Sequence, residues 1–238
     1  KYALDMGTGW TGEWYPYGFS PFLQSFGGDL INRKGFKTAE GALNGTAAVN
    51  FGKWWQGLFT QGYVNAKETG GREGFIAGDV ALQFNGNWAA TDAYKKYGDD
   101  LVFLPTPDFG KGAHIGTSSW QWGVSAKSKH ADAANAWIKF ATQTKYLVAF
   151  SNGIGLIPAT AAAAAKSDLY KAGSPYQDFP ALSAKLGLKR PPTPGYPVIA
   201  KAFEKAATDI MNGADVKSSL DTAVDSINSD LAQNNYYK

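Results

Sequence analysis

The segment FIAGDVALQFNGNW, residues 75–88, constrains the fold of this chain more than any other. Val80, Leu82 and Phe84 alternate with Ala81, Gln83 and Asn85, the two-residue period of a strand. A short helix predicted over residues 72–77 and a turn at Gly78 lead into it. Gly86 breaks the strand, so Trp88 is left on a loop directly after a strand end, with Asn85 and Asn87 close by. In open α/β sheets that is where ligands are met. Two readings of Trp88 follow: a ring plugging the local core, or a flat apolar wall for a ligand.

The rest of the chain alternates in the same manner. Residues 1–6 read as a strand, followed by a Gly-rich loop over residues 7–18 that carries Trp10, Trp14, Tyr15 and Tyr17. A helix is predicted over residues 20–26 and ends at Gly27-Gly28; residues 30–32 read as a short strand. Over residues 46–60, Phe51, Trp54, Trp55, Leu58 and Phe59 fall at helical spacing, which makes Trp54 and Trp55 core residues. Further helices are predicted over residues 88–97, 132–143, 146–151, 161–166, 178–186 and 198–212, and strands over 101–104 and 121–125. The stripe Ala134, Trp137, Ile138 and Ala141 predicts a buried Trp137. Asp215 reads as the N-cap of a final helix with Leu220, Val224, Ile227 and Leu231 as its stripe.

Several function classes are disfavoured by composition. Hydrophobic residues at 44% and charged residues at 18% suit an ordinary folded chain with ample core. A net charge of +3 without a basic stripe disfavours nucleic acid as a partner. No run of about eighteen apolar residues offers a membrane span. With no cysteine, disulfides and thiolate metal sites are ruled out. His114 and His130 lack metal-ligand spacing, so no metal and no cofactor is expected. Gly7-Thr8-Gly9 lacks the Lys-Ser/Thr of a phosphate loop, and Ser118-Ser119 has no nearby base.

An excess of aromatic residues on predicted loops remains. Trp10, Trp14, Tyr15 and Tyr17 lie on the first loop, Trp88 on the second and Tyr196 on a Pro-rich segment, KRPPTPGYP. Trp120 and Trp122 lie at the junction that runs from Gly116 into the strand at 121–125. The two point the same way along a strand, so one of the pair can be core. Asn87, Ser118, Ser119 and Glu13 stand among these rings as hydrogen-bonding groups. Apolar walls with a few placed polar groups make a ligand pocket. Rings beside amides suit a ligand with apolar faces and hydroxyl edges, which is a sugar. The same rings with Glu13 or Asp29 suit a quaternary ammonium through cation–π attraction. A glycosidase needs two carboxylates at a set separation; Asp5, Glu13, Asp29 and Asp108 are the candidates, none within a motif.

Four motifs in order carry a resemblance. They are F-x-x-G-x-x-A-x-x-x-N-G-x-W (Phe75, Gly78, Ala81, Asn85, Gly86, Trp88), the strand–helix pair from Trp120 to Phe140, the G-x-I-P-A turn from Gly155 to Ala159, and the closing helix from Asn212 to Leu231. Together they resemble the carbohydrate-binding extracellular solute-binding proteins of ABC importers, of which maltodextrin-binding proteins are the familiar example. The resemblance implies an α/β fold of the type II periplasmic-binding-protein kind, mostly its C-terminal lobe with part of the N-terminal lobe. Residues 1–118 and 191–238 would form the C-terminal lobe, and residues 119–190 would return to the N-terminal lobe. It also implies no enzymatic activity, a carbohydrate ligand held chiefly by Trp88 and the Gly116–Trp120 junction, ABC permease subunits as partners, and a periplasmic or extracellular membrane-tethered location. Members begin with a segment that precedes the region matching Lys1. The chain is therefore expected to lack that N-terminal segment, which would supply the other lobe's sheet and be a further partner. A free-standing lectin-like module is the reading that needs no second lobe.

Overall fold

The computed structural model describes residues 2–67 and 73–237. Lys1 and Arg72, at the edges of two predicted elements, lie outside them. In chain order the elements are β1 (Leu4–Asp5), α1 (Ser20–Phe26), α2 (Thr46–Thr60), α3 (Glu73–Ala77), β2 (Leu82–Gln83), α4 (Ala90–Tyr97) and β3 (Ile115–Gly116). Then come α5 (Ala131–Ala141), α6 (Thr144–Ile154), α7 (Ala161–Ala164), α8 (Phe179–Leu186), β4 (Gly187–Leu188), α9 (Tyr196–Met211) and α10 (Val216–Gln233). They form two compact units. The first comprises residues 1–85, 102–117 and 186–238, the second residues 86–101 and 118–185. Residues 86–101, read from sequence with the first lobe, group with the second unit.

In the first unit α2 is the central element. Trp55 is 0% exposed, and its Nε1–H donates to the Ala207 carbonyl of α9 at 2.9 Å. Phe51 lies 6.2 Å from the Phe203 ring. Gly52 admits α10: a Cβ there would sit 2.4 Å from Val216 Cγ1. The predicted stripes of α9 (Ile199, Phe203, Ala206, Ala207, Ile210) and α10 are buried. Burying a Leu or Phe side chain contributes about 1.5–3 kcal/mol, so this helix layer carries much of the unit's stability. Asp215 caps α10 as expected, accepting from the Ser218 N–H at 2.8 Å. Trp54 is only half-buried and packs on Phe22 and Phe109.

The strands are shorter than the sequence implies. β1 pairs with β2 in parallel, Leu4 with Leu82 and Asp5 with Gln83. β3 pairs with β4 in parallel, Ile115 with Gly187 and Gly116 with Leu188. Residues 30–32 are no strand; Leu30 and Ile31 are buried, but the Leu30 N–H bonds the Asp29 carboxylate instead of a neighbouring strand. Residues 101–104 and 121–125 also pair with no strand among the described residues. An extended apolar segment needs a ladder partner to satisfy its backbone and cover its face. Without one, Val102 is 71% exposed. The first loop is shorter as well: a helical turn over Tyr15–Phe19 runs straight into α1, and Gly27 stops that helix at φ +97°.

The second unit packs Ala90, Tyr170 and Tyr176 together, with Tyr94, Ile157, Leu169 and Phe179 around them. A buried polar pair, Ser151 and Ser167, anchors its turns: Ser151 donates to the Leu156 carbonyl and Ser167 to Asn152, each at 2.7 Å. The expectation of a buried Trp137 is not met. It is 49% exposed, because no sheet lies on the apolar stripe of α5 within this unit.

Trp55→Ala is expected to lower the unfolding free energy of the first unit by about 3–5 kcal/mol, and Asp215→Ala by about 1 kcal/mol. Urea unfolding followed by far-UV circular dichroism measures both; equal effects would contradict this placement of the core.

Candidate functional site

The aromatic first loop divides into structural and accessible residues. Because the helix begins at Tyr15, residues 15, 19 and 22 share a face turned inward. Tyr15 is 2% exposed and its hydroxyl donates to the Thr8 carbonyl at 3.0 Å. Trp14 is 8% exposed, and its Nε1–H donates to the Met6 carbonyl at 3.2 Å. Both were expected at a ligand; in this structure both are buried and bond the loop backbone. Trp10 packs edge-on against Trp14 at 4.8 Å and remains partly accessible, as does Tyr17.

Glu13 stands half-exposed at the tip of this loop. The Arg190 guanidinium forms an ion pair with its Oε1, and the Tyr196 hydroxyl donates to the same oxygen at 2.7 Å. Arg190 also lies over the Tyr17 and Tyr196 rings, 5.9 Å from each centroid. Next to this cluster is a small depression whose lining includes Tyr17, Gln24, Arg33, Gly116, Leu188 and Arg190. Gly116 has no room for a side chain, since a Cβ there would be 2.2 Å from the Tyr17 carbonyl oxygen. Arg33 pairs with Asp29 and donates to the Lys189 carbonyl at 3.0 Å, fixing the wall beneath.

The electrostatics follow from these contacts. Burial first, then the hydrogen bond and charge of Glu13, push the Tyr196 phenol well above its ordinary value, with Arg190 opposing. Burial likewise raises Tyr17, again against Arg190. For Arg190 itself, partial burial opposes the charge, but the bond and charge of Glu13 carry the net shift upward. The other acids considered from sequence have internal partners: Asp5 accepts from Gly7 and Gln83, and Asp108 from Gly110 and Gly112.

In the second unit, Trp88 is half-buried and its indole lies against the bare Cα of Gly86, where a Cβ would meet the ring at 2.2 Å. Asn87 is held in place, its Nδ2 donating to the Gly155 carbonyl at 3.0 Å and to the Tyr170 hydroxyl at 3.3 Å. Tyr170 in turn donates to Gly155 at 2.6 Å, and burial raises its phenol. Ser118 and Ser119 are exposed, Ser119 donating to the Trp120 carbonyl at 3.2 Å. Trp120 is 91% exposed, while Trp122 rests edge-on against Trp137 at 4.6 Å. The expected strand that would align Trp120 with Trp122 does not form.

Residues 3–181 match the family described as bacterial extracellular solute-binding protein. The chain belongs to that family. It is 24% identical over 228 residues to the maltodextrin-binding protein MdxE of Bacillus subtilis (strain 168), covering 92% of this chain and 52% of that protein. Its fold is similar to the maltose/maltodextrin-binding domain MalE from Bdellovibrio bacteriovorus bound to maltotriose, with a TM-score of 0.75, 19% identity, and coverage of 98% and 60% of the two chains. It is likewise similar to the GacH receptor of Streptomyces glaucescens GLA.O, with a TM-score of 0.72, 21% identity, and coverage of 99% and 59%. The likeness establishes part of the α/β type II periplasmic-binding-protein fold. This family member spans about half the length of the curated relative it matches.

Reasoning from the sequence missed Arg190, Glu204 and Tyr170. Arg190 lies 177 residues from Glu13, and Glu204 accepts from the Gly12 N–H at 2.5 Å. The only local signal was the Pro-rich segment that holds both Arg190 and Tyr196.

Gly116→Ala is expected to lower stability by about 1–3 kcal/mol through overpacking, read by thermal unfolding. A phenol whose value is raised by folding contributes fully below its unfolded value near 10 and loses that contribution as pH rises further. Stability should therefore be flat in these groups to about pH 10 and fall above it. Tyr196→Phe should reduce the fall and remove one late-ionising tyrosine from an absorbance titration; an unchanged titration would contradict the network.

Proposed function

We propose that this chain is part of the sugar-binding component of an ABC importer, capturing an oligosaccharide of the maltodextrin class. The observation that carries this is Trp88: a half-buried indole laid against Gly86, with Asn87 locked beside it by Gly155 and Tyr170. Such a ring offers a flat wall for a sugar face at low ordering cost, because its support is built in advance. In the same unit Ser118 and Ser119 are exposed and supply groups for hydroxyls. In the first unit, taken by itself, the rings of Trp10, Tyr17 and Tyr196 and the carboxylate of Glu13 are candidate sugar-facing groups. Solved relatives bound to maltotriose, maltotetraose and maltose support the ligand class. The mechanism is capture with no bond made or broken, and no cofactor takes part.

Residues 1–118 and 191–238 are assigned to the C-terminal lobe, and 119–190 to a segment of the N-terminal lobe. The exposed apolar face of Trp137, Phe140, Phe150 and Ile154 supports a missing N-terminal segment of the same protein as its cover. A helix layer buries its stripe on a sheet, and the chain covers only 60% of the maltotriose-bound relative. Permease subunits are the partners in transport, at the outer face of the membrane; no helix among the described residues is long and apolar enough to cross one.

Titration with maltotriose should give a saturable change in tryptophan fluorescence, with no new reducing ends over hours. Trp88→Ala should weaken binding by about tenfold or more, a loss of about 1.4 kcal/mol. Supplying the N-terminal segment should tighten binding, since closure adds affinity only through contacts made in the closed form. Release of reducing ends would make the protein a hydrolase instead.

A further inference from the structure

The Glu13 cluster has a feature that the sugar reading alone does not use. Two tyrosine rings and one carboxylate are the parts from which proteins build ammonium-binding cages. In this cage a cation is already present, and it belongs to the protein. Arg190 lies over both rings at 5.9 Å and is paired with Glu13. We propose that Arg190 is a specificity residue: its guanidinium fills the place that a ligand's cation would take and so restricts the cluster to neutral, hydroxyl-bearing ligands.

Three physical points support the assignment. A guanidinium stacks on aromatic faces and at the same time donates directional hydrogen bonds to a carboxylate. A quaternary ammonium carries no N–H, so on displacing Arg190 it would not restore the charge-assisted bond to Glu13. A free cation also competes with a tethered one, and the tethered group is held at high local concentration. Meanwhile Arg190 and Tyr196 converge on Oε1 of Glu13. The cluster thus discriminates by keeping its own cation in the cage.

This inference rests on reading the cluster as part of the ligand site, and the test separates the two. Wild type, Arg190→Ala and Arg190→Lys are titrated with tetramethylammonium chloride against sodium chloride of equal ionic strength, with tryptophan fluorescence as the readout. The expected result is no saturable response from wild type or Arg190→Lys and a saturable response from Arg190→Ala, at least tenfold tighter. Adding Glu13→Gln to Arg190→Ala should abolish that gain. Should Arg190→Ala lose its native circular dichroism, Arg190→Gln removes the charge while keeping a donor for Glu13 and is expected to show the same gain. A folded neutral variant with no gain, or a wild type that binds the cation equally well, overturns the proposal. A maltotriose titration of wild type reports on the sugar reading by itself: sugar binding without a cation gain overturns only the specificity role, and a cation gain without sugar binding overturns only the sugar reading.

Discussion

The packing of α2 against α9 and α10 is the contact on which the first unit depends. Trp55 fills the centre of that layer and satisfies its indole N–H at Ala207, so its burial leaves no polar group unpaired. Gly52 lets α10 approach closely enough for Val216 to touch the α2 backbone. Because α9 is pinned in this way, its first turn is fixed too, and that turn holds Tyr196 at Glu13. The site is therefore an extension of the core: the helix that carries Tyr196 of the Glu13 cluster is the one Trp55 anchors.

Glycines at close approaches place the remaining parts. Gly116 lets β3 pass against the Tyr17 carbonyl, and Gly86 lets the Trp88 indole lie on the backbone. In neither case is a left-handed backbone required; the missing Cβ is what matters. Polar side chains then lock what the glycines admit, Arg33 at Lys189 in one unit and Asn87 at Gly155 in the other. Preorganisation of this kind reduces the ordering that a ligand must impose.

The second unit shows what happens when a predicted pattern has no partner. Residues 121–125 read as a strand from sequence but pair with none among the described residues, and Trp122 settles edge-on against Trp137 instead. Alternation describes which face would be buried; it does not supply the neighbouring strand. Helices fare better because they satisfy their backbone internally, so α5 forms within two residues of its expected bounds although its stripe stays exposed.

That difference explains what was legible in the sequence. Helical spacing located α2, α9 and α10, the buried stripes of α9 and α10 and the Asp215 cap, since these depend on contacts within a few residues. The NGNW turn was legible for the same reason. The tertiary structure alone turned Trp14 and Tyr15 inward, where their polar atoms bond the loop backbone. It alone joined Arg190 to Glu13 across 177 residues, and it left Trp120 in solvent. Periodicity records local preference; which side chains meet across the chain is set by the packing of whole elements, and no short segment contains that information.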